Sequence, residues 1–203
     1  MSPAVHGRVR VGVLLSGGGR TLQNLLDQRA TGRLPIDVVV VIADRADAFG
    51  LERARRAGIP AVFERDPARI QQILREHRVE LVCLAGYLRL FPVGEAWAGR
   101  VLNIHPALLP RHGGKGCYGE RVHAAVLAAG EAETGCTVHL CDDHYDRGEI
   151  LVQKRVPVLP GDDVHTLAER VFAAECEAYP EAILLWLERR HGQRSGGGTA
   201  ATR

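Results

Sequence analysis

Apolar runs and amphipathic segments alternate along the chain as far as His105. Runs rich in Val, Ile and Leu predict strands buried on both faces, and the periodic segments between them predict helices. Strands that alternate with helices form βαβ units, whose strands run parallel. The predicted strands are Val9–Leu15, Ile36–Ala43, Ala61–Phe63, Glu80–Gly86 and Val101–Ile104. The predicted helices are Arg20–Arg29, Asp47–Ala57, Pro67–His77 and Phe91–Ala98.

The second half of the chain has a different pattern. A predicted helix at Glu120–Ala129 is followed by two predicted strands, Gly135–Cys141 and Glu149–Val158. Their connection is short and polar, which favours an antiparallel pair. The long amphipathic stretch Asp163–Arg190 predicts a helix that breaks at Pro180.

These elements predict one α/β domain over residues 9–190. We expect a Rossmann-like, doubly wound, mostly parallel sheet of about seven strands, with an antiparallel C-terminal pair. Residues 1–8 and 191–203 are predicted to be a disordered leader and a disordered tail, because both are short and the second is rich in Gly.

Composition narrows the function classes. The formal net charge of +2 gives no general case for binding nucleic acid or an anionic membrane. The five cysteines include no Cys-x-x-Cys pair and are odd in number, which favours reduced thiols over a disulfide framework. No secretion signal and no apolar run of the roughly 20 residues that span a bilayer are present, so we expect a cytoplasmic protein.

Candidate chemistry begins where the strand at Val101–Ile104 ends. Asn103 and His105 are two residues apart, so in an extended segment their side chains leave the same face. Pro106 ends the strand there, at a position where open α/β sheets often carry reactive groups. The alternative is a buried Asn and His that only satisfy the backbone, and for an isolated Asn-x-His that alternative would be preferred.

A glycine-rich turn follows the first strand. The sequence Ser16-Gly-Gly-Gly19 leads into a helix, an arrangement that presents backbone N–H groups to an anion. It matches neither the dinucleotide fingerprint nor the nucleoside-triphosphate loop, since Leu22 stands where the third Gly is needed. A single phosphate fits better, held by Gly19, Arg20 and Thr21. A turn whose glycines only permit close packing is an equally good interpretation.

The polar loop Asp142–Gly148 supplies candidate carboxylates. Asp146 could accept a hydrogen bond from His105, fix its tautomer and favour its protonated form. Asp142 and Asp143 are better interpreted as a solvated acidic turn. His105, His139, His144 and Asp146 are residue types that bind zinc, but their spacing matches no recurrent zinc motif, so no metal is expected.

Several stretches in fixed order now point to a known family. They are Leu15–Gln23, Ala46–Ala54, Leu84–Leu90, Asn103–Pro110 and Gly135–His139, followed by Asp146-x-Gly148. On these motifs the chain resembles the glycinamide ribonucleotide formyltransferases of purine synthesis over roughly residues 9–190. The resemblance departs at Arg20-Thr21, where relatives usually carry Ser-Asn, and in a longer segment 111–119.

The resemblance implies an enzyme that transfers the formyl group of 10-formyltetrahydrofolate, a co-substrate, to the amine of glycinamide ribonucleotide. Asn103, His105 and Asp146 would be the catalytic set. The Asn103 amide and protonated His105 would stabilise an oxyanion, and His105 would donate a proton to the departing folate. Asp146 would orient His105 and raise its pKa. Neither metal nor nucleic acid nor membrane is implied, and the enzyme would be a monomer or homodimer.

The same resemblance implies two binding regions. Gly19, Arg20 and Thr21 would bind the substrate phosphate, and Glu175 the rest of the nucleotide. Arg65 is preferred over Arg69 as one folate contact. The full folate-binding set would be Arg65, Leu88, Arg89, Leu90, Phe91, Asn103, Asp142, Asp143, His144, Tyr145 and Asp146.

Three other functions compete. A formyltetrahydrofolate hydrolase would use the same site with water as the acceptor, but such relatives usually carry an N-terminal regulatory domain. Formylation of initiator methionyl-tRNA would be expected to bring a C-terminal RNA-binding domain. A non-enzymatic phosphate-binding module would not need the Asn103, His105 and Asp146 set.

Overall fold

One seven-stranded sheet organises the chain, in a computed structural model that describes residues 8–196, with side chains through residue 192. Its strands are β1 Val9–Leu15, β2 Ile36–Ala43, β3 Ala61–Phe63, β4 Leu81–Leu84, β5 Val101–His105, β6 Glu133–Leu140 and β7 Ile150–Pro157. Their spatial order is β3-β2-β1-β4-β5-β6-β7. The first five pair in parallel, and β6 is antiparallel to both β5 and β7.

Helices cover both faces of this sheet. They are α1 Arg20–Ala30, α2 Phe49–Arg56, α3 Pro67–Glu76, α4 Gly94–Trp97, α5 Glu120–Ala128 and α6 Val164–Gly196. Because strand residues alternate between faces, Val13 packs on the side of α1, α2, α5 and α6, whereas Leu14 packs on the side of α3 and α4. These two apolar layers hold the carboxyl ends of β1, β4 and β5 side by side.

The structure confirms the predicted fold class, including the antiparallel C-terminal pair. The strand β5 extends one residue further than predicted, so that it ends on His105. No helix within residues 8–196 combines the length and the apolarity that crossing a bilayer requires.

The predicted break at Pro180 is wrong, because α6 continues through it. Buried residues on both sides of the proline, Tyr179 and Ile183 among them, pack against the sheet. The Tyr179 hydroxyl also lies 2.9 Å from the carbonyl oxygen of Leu102 and 3.0 Å from that of Leu84. This packing outweighs the loss of one backbone N–H.

The predicted ends of the domain also need correction. Arg8, assigned to a disordered leader, leads directly into β1 and its guanidinium lies 3.4 Å from the Asp37 carboxylate. Residues 191–196, assigned to a disordered tail, continue α6. The remainder of both predictions, residues 1–7 and 197–203, lies outside the described residues.

Candidate active site

A cleft of about 710 Å³ opens at the carboxyl ends of β1, β4 and β5. Connections leave β1 toward β2 and β4 toward β5, so the winding of the sheet reverses between β1 and β4. Ligands of open α/β sheets bind at such a reversal. Ser16, directly after β1, accepts a hydrogen bond from the Leu88 backbone N–H at 2.9 Å, which joins the glycine-rich turn to the opposite wall of the cleft.

Asn103 and His105 both line this cleft from the end of β5. His105 is buried, with its side chain 4% exposed. Its Nε2 lies 2.9 Å from the backbone carbonyl oxygen of His112, which can only accept, so Nε2 carries a proton. The other ring nitrogen, Nδ1, lies 3.6 Å from the Asp146 carboxylate.

Asp146 brings its carboxylate to the same point from the loop between β6 and β7. Its backbone is left-handed, with φ of 55°, a conformation that Asp tolerates better than most residues. The Gly114 N–H donates to its Oδ2 at 2.9 Å, and the Asn103 amide donates to its Oδ1 at 3.4 Å. The structure therefore brings Asn103, His105 and Asp146 together around one carboxylate.

His139 is a fourth member of this cluster. It pairs with Asn103 across β5 and β6, and it lies buried in the cleft wall. Its Nδ1 lies 3.0 Å from the Leu140 carbonyl oxygen and therefore carries a proton. Its Nε2 lies 3.1 Å from the Asn103 amide nitrogen, from which the neutral ring accepts, and 3.6 Å from the Asp146 carboxylate. The sequence placed His139 on a strand face, but only the β5–β6 register shows that it orients Asn103.

The electrostatics of the cluster correct one expectation. Burial lowers the pKa of His105 below its ordinary value and outweighs the opposing effect of the Asp146 carboxylate. The predicted effect of Asp146 on His105 is therefore present, but the protonated form that the sequence led us to expect is not the resting form of the protein without substrates, in which His105 is neutral. Burial alone raises the pKa of Asp146, but His139, His105 and the Gly114 N–H together hold it below its usual value.

The glycine-rich turn leads into α1 beside the cleft, whose lining begins at Arg20. Gly19 has a φ of 71°, and a Cβ there would lie 2.7 Å from the Gly50 Cα, so close packing requires glycine at this position. The side chains of Arg20 and Thr21 line the cleft. Arg20 is held by Glu169 at 2.6 and 2.7 Å and lies 3.8 Å above the Phe172 ring.

Glu175 lines the cleft on the same side as Arg20. Burial raises its pKa to about 7, against the opposing effect of Arg20. An acid whose pKa is 4.5 when exposed and about 7 when folded binds more protons in the folded state between these values. Folding stability is therefore lost as the pH rises through this window.

Replacing Glu175 with Gln is expected to stabilise the unliganded protein at pH 8 relative to wild type, by about 1–2 kcal/mol, with little difference at pH 4.5 or below. This free-energy difference is smaller than the full pKa shift of Glu175 would give, because the side chain faces an open cleft and solvent screens its charge. Chemical denaturation at both pH values measures the gap. Glu177→Gln, on the exposed side of α6, is the matched control. A gap that does not change with pH would contradict the raised pKa.

The predicted folate contacts are mostly gathered along one wall. Leu88, Arg89, Leu90, Phe91, Asp142, His144 and Tyr145 line the cleft together with Asn103, His105 and Asp146. Arg65 does not line it; its Nε donates to the Asp44 carbonyl at 2.8 Å. Asp143 does not line it either, because its carboxylate accepts from the N–H groups of Val93 and Gly94. Arg69 pairs with Glu76 instead.

Among the described side chains, no three His, Cys, Asp or Glu residues are arranged to hold a metal ion.

Comparison with known families gives a match to formyl transferases over residues 9–183. The chain belongs to the formyl transferase family.

Individual relatives of this formyl transferase agree with that assignment. It is 43% identical over 191 residues to the trifunctional purine biosynthetic protein adenosine-3 of Drosophila pseudoobscura pseudoobscura, covering 88% of this chain and 14% of the fly protein. It is 39% identical over 201 residues to the chloroplastic phosphoribosylglycinamide formyltransferase of Vigna unguiculata, covering 94% of this chain and 64% of the plant protein.

Solved structures give the same result for the fold. The crystal structure of glycinamide ribonucleotide transformylase 1 from Symbiobacterium toebii matches this formyl transferase with a TM-score of 0.84 and 45% identity. The match covers 91% of this chain and 90% of that one. The comparisons confirm the resemblance that the sequence motifs indicated.

Proposed function

We propose that this formyl transferase moves the formyl group of 10-formyltetrahydrofolate to the amine of glycinamide ribonucleotide, in de novo purine biosynthesis. The observation that carries the proposal is the convergence of Asn103, His105 and Asp146 in one cleft, beside which the glycine-rich turn leads into α1. The names of the relatives support glycinamide ribonucleotide as the acceptor and a formyl group as the group transferred, whereas 10-formyltetrahydrofolate as the donor rests on the resemblance in sequence.

The first chemical step in this proposal is attack of the substrate amine on the formyl carbon. A C–N bond forms and the formyl oxygen gains negative charge. The Asn103 amide has two hydrogens, of which one is held by His139 at 3.1 Å and the other makes the longer 3.4 Å contact with Asp146. The second hydrogen is the one that turns to the oxyanion. Neutral His105 donates its one N–H to the His112 carbonyl oxygen, so its Nδ1 becomes the other donor only after it has taken a proton from the amine.

The second step breaks the bond from the formyl carbon to the folate nitrogen. The amine must lose a proton and the departing nitrogen must gain one. Because neutral His105 is the resting form, its ring first accepts the proton of the amine and then passes it to the folate. Asp146 stabilises the imidazolium that exists between these two transfers.

Binding is divided between the two ends of the cleft in this proposal. Gly19, Arg20 and Thr21 bind the phosphate, and Glu175 binds the rest of the nucleotide. The side chains of Arg20, Thr21 and Glu175 line the cleft, and Gly19 is buried directly before Arg20. Folate lies along Leu88–Phe91 and the loop at 142–146, without the side chains of Arg65 and Asp143. We further propose a cytoplasmic enzyme, monomeric or homodimeric; the Vigna relative is described as chloroplastic.

Initial rates of tetrahydrofolate release test the proposal. Purified protein is given 10-formyltetrahydrofolate alone, then with glycinamide ribonucleotide, then with the dephosphorylated ribonucleoside. We expect release that depends on the ribonucleotide and a much poorer response to the ribonucleoside. Release at the same rate without any acceptor would instead show a formyltetrahydrofolate hydrolase.

Replacing Arg20 with Gln is expected to raise KM for glycinamide ribonucleotide by about tenfold or more and to leave kcat within a few-fold, because a charge-assisted contact to phosphate is lost far from the formyl group. Steady-state kinetics with ribonucleotide as the varied substrate measure both constants. Arg45→Gln, which removes an exposed arginine paired with Asp47, is the matched control. An unchanged KM would remove Arg20 from the phosphate site.

A further inference from the structure

The backbone of the turn at residues 112–114 contacts two of the proposed catalytic side chains. The His112 carbonyl oxygen accepts from His105 Nε2 at 2.9 Å, and the Gly114 N–H donates to Asp146 Oδ2 at 2.9 Å. The first contact fixes the tautomer and orientation of the imidazole. The second orients the carboxylate, so one short segment positions both groups relative to each other.

This turn is closely fitted to its surroundings. His112 has a left-handed backbone, with φ of 53°, which is unfavourable for a residue with a Cβ. A Cβ added to Gly113 would lie 2.5 Å from Leu109 Cδ2 and 3.4 Å from Asp146 Cβ. A displacement of the turn would therefore move the carboxylate as well as the carbonyl that holds His105.

Glu131, just beyond α5, contacts this part of the chain through its carboxylate. Its Oε1 lies 3.3 Å from His112 Nε2, and its Oε2 accepts from the Arg111 guanidinium at 2.9 Å. Its side chain is 24% exposed. It lines a separate cavity of about 170 Å³ and not the cleft that holds the catalytic cluster. Both carboxylate oxygens of Glu131 therefore contact Arg111, which precedes the turn, and His112, which is its first residue.

We propose that Glu131 is a positioning residue for formyl transfer, which holds the Arg111–His112 turn so that its backbone keeps His105 and Asp146 in their reactive arrangement. The inference rests on the proposed function. Arg111 is largely exposed, so its ion pair with Glu131 adds little to the stability of the fold. Small displacements of reacting groups lower rates strongly, because the reacting atoms must be aligned.

The test is a comparison of kcat, KM and thermal stability in Glu131→Ala. We expect kcat to fall about tenfold, KM for both substrates to stay within about twofold, and the melting temperature to change little. Glu131→Gln keeps the shape and one carbonyl acceptor, so it should recover most of the lost kcat. Glu133→Ala removes a nearby exposed carboxylate that pairs with Arg155, and it should change neither kcat nor KM.

A double-mutant cycle tests whether Glu131 acts on kcat through His112 or independently of it. His112→Ala cuts the same connection while leaving the backbone carbonyl in place, so it should lower kcat by a similar factor. Glu131→Ala combined with His112→Ala should then be no slower than either single variant. Independent, additive losses, or an unchanged kcat in folded Glu131→Ala, would overturn the inference. An inactive wild-type protein would instead overturn the proposed function.

Discussion

Replacing Asn103 with alanine is expected to lower kcat by about 10²–10³-fold, because one of two donors to the developing oxyanion is lost. KM should change much less, since the amide is used in the transition state more than in binding. The fold should survive, because Asn103 lies at a cleft wall and its partners are other polar side chains. Steady-state kinetics combined with circular dichroism measure both effects.

The chain contains one other asparagine, which serves as the matched control. Asn24 on α1 donates its amide to the Cys176 carbonyl at 2.9 Å, and it does not line the cleft. Asn24→Ala removes the same chemical group and should lower stability by about 1 kcal/mol while kcat stays normal. A near-normal kcat in Asn103→Ala would remove this residue from the catalytic set.

Asp146→Asn is expected to lower kcat by between about 10² and 10⁴, since the charge that stabilises protonated His105 disappears. Asparagine tolerates the left-handed backbone at this position, and its amide oxygen can still accept from the Gly114 N–H. The loop should therefore keep its conformation. Kinetics across a pH series measure the loss.

The control for Asp146 is an aspartate that is also paired but distant from the reaction. Asp37 on β2 accepts from the Arg29 guanidinium at 2.8 Å, and this pairing holds its pKa below the usual value against the effect of burial. Asp37→Asn should leave kcat unchanged. If Asp146→Asn kept more than about a tenth of wild-type kcat, Asp146 would not be the group that stabilises protonated His105.

Much of the fold was predictable because local patterns agree with the tertiary structure. The strands β1, β2 and β3 have the predicted bounds. For β1 and β2 the reason is that buried parallel strands leave continuous apolar sequence. Pro180 is the exception. Whether a proline breaks a helix depends on how the helix packs, and Tyr179, next to Pro180, is held by the carbonyl groups of Leu84 and Leu102 on distant strands.

The candidate site was predictable where its residues share a short stretch. Asn103 and His105 lie two apart on one strand, so the period of a strand alone places them together. Asp146 required a guess about which loop residue turns inward. The positions of Arg65 and Asp143 outside the cleft could not be foreseen, because each is held by contacts with remote backbone atoms.

The remaining parts of the site depend on long-range geometry. His139 reaches Asn103 only through the register between β5 and β6. The carbonyl of His112 and the N–H of Gly114 are backbone groups, which exist at almost every position and carry no sequence signal of their own. Burial likewise reversed the expected direction of the His105 pKa shift, and burial depends on the complete fold.

The most direct test of the account follows the formyl group itself. Purified protein receives 10-formyltetrahydrofolate with an isotopic label in the formyl carbon, together with glycinamide ribonucleotide, and the products are separated after a timed quench. We expect one labelled formyl group on the ribonucleotide for each tetrahydrofolate released. Label that accumulates as free formate, with the ribonucleotide unchanged, would contradict it.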